Sequence, residues 1–243
     1  MADLVYRSVM RDIKHKILQN QYAGMRLPDE RSLSETYGVS RSSIKRALGI
    51  LAQQGIIFKK RGSGTFINPL YLKNQSLFHY EGSNLGITDS FQVDGKKQGI
   101  SLLDYQVVPA SADIQEELFL NDNDFVYQIK RLRLIDDQPF MIETGFIPIK
   151  IVPTLSPAVV NSSIFNYLED SMGKRVTKSF TTISVSPSIK DDQDLLKLTP
   201  TEPVGVMDGV FFLDDGTPFE VSNMRIHYKY MRYSTFINLD QEG

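Results

Sequence analysis

Between residues 4 and 18, apolar side chains return every third or fourth position, at Tyr6, Val9, Ile13 and Ile17. That spacing lines one face of an α-helix. Gly24 and Pro28 break the pattern. Asp29 then stands where an N-cap belongs, with Leu33 and Tyr37 as the stripe of a second helix. Gly38 permits a tight turn that a side chain would obstruct, and Val39 reads as a buried plug. Ser40 is the next N-cap. Ile44, Ala47, Leu48 and Leu51 form the inward face of a third helix, which Gly55 ends. The period then changes. In "IIFKKRGSGTFI" two short β-prone runs flank Arg61-Gly62-Ser63-Gly64, which predicts a hairpin.

Residues 69–85 are polar, spotted with aromatics and without period, and predict a linker. Beyond them strand-like runs dominate: "SLLDYQVVPA", "FVYQIKRLRLI", "PFMIETGFIPI", "SFTTISVSP", "PVGVMDGVFFLD" and "PFEVSNMRIHY". Helical pieces lie between them, in "SADIQEELFL", "SSIFNYLEDSMG" and "IKDDQDLLKL". Asp136-Asp137-Gln138-Pro139 and Asp214-Asp215-Gly216-Thr217-Pro218 mark hairpin turns. Short connections between successive strands imply a mainly antiparallel sheet with helices packed on it. The expected architecture is therefore α+β in two domains. Residues 1–68 form a helix-turn-helix with a β-hairpin, 69–85 a linker, and 86–243 the larger domain.

Charge sharpens this division. Residues 1–70 hold 12 lysines and arginines against five acids, a net of +7, and the remainder carries −9. A basic head on an acidic body suggests that the head meets a polyanion. With no cysteine there is no disulfide framework, thiol nucleophile or cysteine-based metal site. His15, His79 and His227 stand alone, without a second ligand at metal spacing. Neither HExxH nor G-x-S-x-G occurs. No metal or cofactor is expected. The start "MADLVYRSVMRDIKHKI" has no apolar signal region, and no apolar run is long enough to span a bilayer, so a cytoplasmic, membrane-free protein is expected. Asp191-Asp192 and Asp194 read as a solvated helix start.

Two helices joined by a glycine turn make a helix-turn-helix, and the outward face of the third helix suits DNA. Arg41, Ser42 and Lys45 fall in its first two turns, where a recognition helix reaches base edges. The fork of an arginine matches guanine O6 and N7, and a serine can donate or accept. Ser40 and the helix-start amides suit a phosphate. A basic hairpin following the recognition helix is a wing, with Lys59, Lys60 and Arg61 placed for phosphates or a minor groove.

The stretch "LPDERSLSETYGVSRSSIKRALGILAQQGIIFKKRGSGTFI" resembles the winged helix of the GntR family of bacterial transcription regulators. That family's pattern runs roughly L-P-S-E-R, Y-G-V-S-R-x-T-V-R-x-A-L, G-x-G-T-F-V. The resemblance implies operator contacts from Arg31, Ser40, Arg41, Ser42, Lys45, Arg61 and Gly62. Ser43 stands in place of the commoner threonine and Lys45 in place of arginine, and a lysine donates as a point rather than a fork. The body resembles the UTRA effector domain of the HutC branch, through "QIKRLRLIDDQPFMIETGFIP" and "DGTPFEVSNMRIHYKYMRY". It departs at Asp-Asp-Gln, where Asp-Gly is usual, and at Phe146, where tyrosine is common. This implies a fold like chorismate lyase, without that enzyme's activity.

Physics marks a site in the body as well. On a strand Arg131 and Arg133 share one face, and Lys130 takes the other. Two adjacent guanidinium groups repel unless an anion joins them. A carboxylate of the sheet is one such anion. A three-residue loop would set Glu143 opposite Arg133, and a four-residue loop would turn it to the other face. A bound phosphate or carboxylate is the reading favoured for the pair. The resemblance to sugar-phosphate-responsive members of the branch implies effector contacts from Thr88, Arg131, Arg133, Glu143, Ser163, Glu220 and Tyr228. Ser162 and Ser163 compete as the helix cap, and Tyr228 also reads as a core ring with its hydroxyl outward.

The expectation is a repressor of a sugar-uptake or catabolic operon, acting as a homodimer on double-stranded operator DNA. A small anionic effector, a sugar phosphate or similar, would control it. The alternatives are a DNA-tethered enzyme with a chorismate-lyase-like body, and a DNA-bound scaffold with no effector.

Overall fold

The structure, a computed structural model, describes residues 2–73 and 97–236. The chain divides into two compact units, Met1–Gln75 with Ser234–Gly243, and Ser76–Tyr233.

The first unit builds a small three-helix core. Helices α1 (Ala2–Leu18), α2 (Glu30–Tyr37) and α3 (Arg41–Gln53) are followed by a two-stranded hairpin, β1 (Ile57–Lys60) and β2 (Gly64–Ile67). The stripes expected from spacing are the ones buried: Tyr6, Val9, Ile13 and Ile17 from α1, Leu33 from α2, and Ile44, Ala47, Leu48 and Leu51 from α3. Val39 is half-buried against this core. Tyr37 does more than fill space. Its hydroxyl donates to Asp12 Oδ2 at 2.6 Å and accepts from Lys16 Nζ at 3.2 Å, which ties the end of α2 to α1. Gly38 caps α2 at φ 62°, in the left-handed region. The start of the expected linker is ordered differently from its polar look. Pro69–Leu72 is a short helix, α4, capped by Asn68, and Tyr71 and Leu72 pack against the core of the unit.

The second unit is a six-stranded antiparallel sheet in the order β3-β4-β5-β8-β7-β6. Its strands are β3 (Gln98–Pro109), β4 (Phe125–Ile135), β5 (Gln138–Pro148), β6 (Val176–Pro187), β7 (Pro203–Leu213) and β8 (Pro218–His227). One face carries the main core, where Ile129, Met141, Ile147, Met207, Phe219 and Ile226 meet helices α6 (Pro157–Val160) and α7 (Ile164–Met172). The opposite face takes α5 (Ala112–Leu118) beside Val126, and α8 (Lys190–Leu196) beside Ile142, Val204 and Val206. Asp192 of α8 is not solvated as its acidic neighbourhood suggests. It is fully buried, accepts from Ile189 N at 2.8 Å, and takes both arms of Arg225 at 2.7 Å. Among the described residues no helix is long and apolar enough to cross a membrane.

The β4–β5 turn sets the site. Asp136 and Asp137 both adopt positive φ, 49° and 60°, and Ile135 pairs with Gln138. This is a two-residue turn of the kind that matches strand twist, shorter than either loop considered from sequence. A one-residue irregularity between Arg133 and Leu134 then shifts the ladder, so Arg131 lies opposite Glu143 and Arg133 opposite Met141. Glu143 thus keeps the face of the arginines but faces Arg131, not Arg133.

Candidate functional sites in the head and the body

In the head, Ser40 opens α3. Its Oγ accepts from Ser43 N at 3.2 Å and lies 2.8 Å from Ser42 Oγ, so this hydroxyl is engaged as a cap. The inner side of α3 is locked by burial, while Arg41, Ser42 and Lys45 are exposed on its first two turns. Neither Arg41 nor Lys45 has a carboxylate partner among the described residues. Arg46 turns back instead, with its guanidinium 4.1 Å from the Tyr6 ring centre. Arg31 projects from the start of α2 and bonds Glu35 at 3.0 Å in a largely exposed pair, of a class worth at most about 1 kcal/mol.

The wing is a regular hairpin with Ile57 opposite Ile67 and Lys60 opposite Gly64. Phe58 stacks on Phe66 with ring centres 5.8 Å apart. At the tip Gly62 has φ 72°, and Arg61 and Gly62 are exposed. The chain before α2 braces the wing, through Leu27 N donating to Thr65 O at 2.9 Å and Arg26 lying over Phe66. Lys59 differs from its neighbours in the wing, because it pairs with Glu30 at 2.9 Å in a part-exposed ion pair. Lys60 and Arg61, exposed like Lys59, have no carboxylate partner among the described residues.

In the body, five of the expected effector residues line one pocket: Arg131, Arg133, Glu143, Ser163 and Glu220. They come from β4, β5, β8 and the start of α7, and with Phe165, Phe211 and Met224 they surround about 270 Å³ of empty space counting its open mouth. Arg131 Nη2 and Arg133 Nε both reach Glu143 Oε2, at 3.0 and 2.9 Å. Arg131 also donates through Nη1 to Val160 O at 3.1 Å and Ser162 O at 3.3 Å, which fastens α6 and the start of α7 to the sheet. The internal carboxylate weighed from sequence is therefore present, and both arginines share it. All three side chains are at most 6% exposed, so this is a buried cluster whose members depend on one another.

Burial would raise Glu143, but the two guanidinium groups outweigh it and hold the carboxyl at about 2. Glu220 is the opposite case. Burial and the neighbouring charge of Glu143 push it up to about 8 against the pull of both arginines, so near neutral pH it is mostly a protonated acid. The cluster then holds two cations and one anion. Gly145 belongs to this arrangement, since a Cβ there would collide with Glu220 Oε1.

Ser163, rather than Ser162, lines the pocket. Its Oγ accepts from Asn166 N at 3.3 Å as the cap of α7, while Ser162 Oγ donates to Val159 O at 2.8 Å. Tyr228 is not brought in. β8 ends at His227, and the chain turns so that the Tyr228 ring packs near Ile142 and Leu196 on the other face, with its hydroxyl 2.8 Å from Glu202 Oε1. Thr88 lies outside the described residues. Sequence reasoning missed Ser222, which is 1% exposed and lines the pocket beside Glu220. Strand alternation could have found it, because Glu220, Ser222 and Met224 share a face. Ser222 Oγ and Arg131 Nε are buried polar atoms with no hydrogen-bond partner.

Both units match known families. The profile of the bacterial regulatory proteins of the gntR family matches residues 5–67, and that of the UTRA domain residues 94–232. The chain belongs to the GntR family of DNA-binding transcription regulators and carries a UTRA effector domain, an architecture consistent with the HutC branch. It is similar to the HTH-type transcriptional regulator GmuR of Bacillus subtilis (strain 168), with 28% identity covering 90% of this chain and 92% of that one. The HTH-type transcriptional regulator TreR of the same organism is 28% identical over 86% of this chain and 87% of its own, and the solved effector-binding domain of this trehalose repressor superposes on 59% of the chain with a TM-score of 0.52. The crystal structure of the possible transcriptional regulator YydK of B. subtilis covers 96% of this chain and 99% of its own at a TM-score of 0.78 and 24% identity, and so shares the fold.

Proposed function

We propose that this regulator is a repressor of a sugar-uptake or catabolic operon, that it binds a pseudo-palindromic operator as a homodimer, and that a small anionic sugar derivative, a sugar phosphate by preference, controls it from the body. In the head, Arg41, Ser42 and Lys45 read bases. Ser40 with the α3 amides, Arg31, Arg61 and Gly62 position the phosphate backbone. The weak Arg31–Glu35 pair gives way to a phosphate at little cost. In the body, Arg131, Arg133 and Ser163 hold the anionic group, and Glu143 and Glu220 face hydroxyls, Glu220 able to donate as a protonated acid. Thr88 and Tyr228 have no part in the arrangement on which this reading rests.

The observation that carries the reading is the unfinished charge and hydrogen bonding of the pocket. Two buried cations share one carboxylate, and Arg131 Nε and Ser222 Oγ lack partners. Native proteins rarely bury polar atoms unpaired, and an oxyanion flanked by hydroxyls would satisfy both. That one similar protein is a trehalose repressor agrees with a sugar.

The test is a thermal-shift screen of the full chain against phosphorylated sugars, their unphosphorylated parents and inorganic phosphate. A specific phosphosugar should raise the melting temperature in proportion to its excess over Kd, and its parent sugar should do so far less. Equal shifts from parent and phosphate ester would remove the anion from the reading.

A further inference from the structure

Two glycines, one in each unit, lie under side chains of one short run, Met231-Arg232-Tyr233-Ser234-Thr235-Phe236. Gly205 stands inside β7, where a glycine weakens a strand and the local backbone does not call for one. A Cβ there would lie 2.5 Å from Met231 Cγ and 2.9 Å from its Sδ, so the missing side chain makes room for Met231. Met231 follows the single 3-10 turn Tyr228–Tyr230 after β8, and its N–H donates to Tyr228 O at 3.1 Å. Gly55 is the matching position in the head. It follows α3 at φ 69°, donates its N–H to Ala52 O at 3.0 Å and accepts from Asn68 Nδ2 at 2.8 Å, so this one turn ties the recognition helix to the wing. A Cβ there would collide with the Phe236 ring and lie 2.6 Å from Phe236 Cβ. Gly55 is buried, while Phe236 stays 49% exposed. The ring covers the glycine and is itself only half covered.

We infer that this run is a strap, seated on Gly205 at one end and on Gly55 at the other, through which the state of β8 reaches the end of the recognition helix. The strap continues the strand that brings Glu220, Ser222 and Met224 to the pocket. Its far seat is the turn that fixes where α3 stops and the wing begins. A shift of β8 against β7 moves the Met231 seat and pulls on Phe236. Both seats hold an apolar side chain on glycine backbone by close contact, so either can loosen without the loss of a hydrogen bond. The role of the strap in control rests on the proposed function, and the two seats do not.

The chain has no tryptophan, so Phe236→Trp in the full chain makes a single fluorescent reporter, and the half-exposed ring leaves space for an indole. Its emission should lie to the blue of free tryptophan and resist quenching by acrylamide. Adding Gly55→Ala fills the seat, and should shift the emission to the red and open the indole to acrylamide. Gly24→Ala is the control for backbone strain, because Gly24 has φ 65° with nothing within 4 Å of a Cβ, and it should change neither. Met231→Ala removes the anchor in the body and should also open the indole to acrylamide. Melting curves check that each variant folds. An indole as quenchable as free tryptophan, or one that responds no more to Gly55→Ala than to Gly24→Ala, would overturn the seat on Gly55. An indole shielded there but indifferent to Met231→Ala would make Phe236 a local cover of the head and overturn the transmission. Neither measurement uses effector or operator, so both failures leave the repressor reading standing, and failure of that reading in the effector screen leaves the seats in place.

Discussion

Glu220 carries a buried acid that the fold keeps protonated where an exposed glutamate would ionise. Its proton is set by burial and by Glu143, with Arg131 and Arg133 opposing from β4. The sign of the consequence follows. The folded-state value, about 8, lies above the ordinary 4.5, so the stability linked to this group is complete below pH 4.5 and is lost as pH rises through 8. Glu143 is depressed to about 2, so its contribution is present above 4.5 and is lost only in stronger acid. Glu220→Gln keeps the shape and removes the titration. Between pH 5 and pH 8.5 wild type should lose on the order of 4 kcal/mol relative to this variant. Thermal melts of both proteins at several pH values read the difference, and parallel curves would show that Glu220 titrates normally. At this scale the sequence offered Glu143 as a partner for Arg133 but left the pairing open. Arg131, Arg133 and Glu220 could be placed on one face by alternation and resemblance, but the shared carboxylate depended on a shift in register that no spacing rule supplies.

Elements were legible where one face is apolar and the other wet. The helices of the head, the six long strands and the main helices of the body fall within a few residues of the periodic runs that predicted them. The misses are local. Pro69–Leu72 looked like linker because its two packing residues, Tyr71 and Leu72, stand in a polar run too short to show a period. Asp192 looked solvated because its partner, Arg225, is distant in sequence. The wing shows the same effect on function. Sequence offered Lys59, Lys60 and Arg61 as equals, yet β1 turns Lys59 toward Glu30 at 2.9 Å. A lysine already paired releases no counterion from DNA unless the pair opens. Lys60→Ala and Arg61→Ala should therefore each lower the slope of log affinity against log salt by roughly 0.9, one phosphate contact, and Lys59→Ala should change it much less. Operator titrations across salt concentrations distinguish them, and equal effects from all three would mean that the Lys59–Glu30 pair opens on DNA.

For the whole molecule, the proposed DNA contacts and effector contacts fall in different units, so control requires that binding at one bias the other. An effector shifts operator affinity only by its differential affinity for the DNA-competent state, and the coupling is reciprocal. Calorimetry of the effector found by screening, with and without operator, should give the same factor as operator titration with and without effector. Arg133 is the lever for testing whether this coupling starts in the pocket. Arg133→Ala would also strip a partner from a buried carboxylate, at a cost of about 3–5 kcal/mol to the fold. Arg133→Lys keeps the charge beside Glu143 and removes the fork that grips an oxyanion. Loss of a charge-assisted hydrogen bond is worth roughly 1.5–3 kcal/mol, so effector affinity should fall about tenfold to a hundredfold. Operator affinity without effector should hardly change. The variant should behave as a repressor that ignores ordinary effector levels and responds at much higher ones, with the coupling factor itself preserved. Wild-type effector affinity in Arg133→Lys would make the arginine pair structural and displace the effector from this pocket. A reduced coupling factor at saturating effector would instead place Arg133 in the transmission between the units.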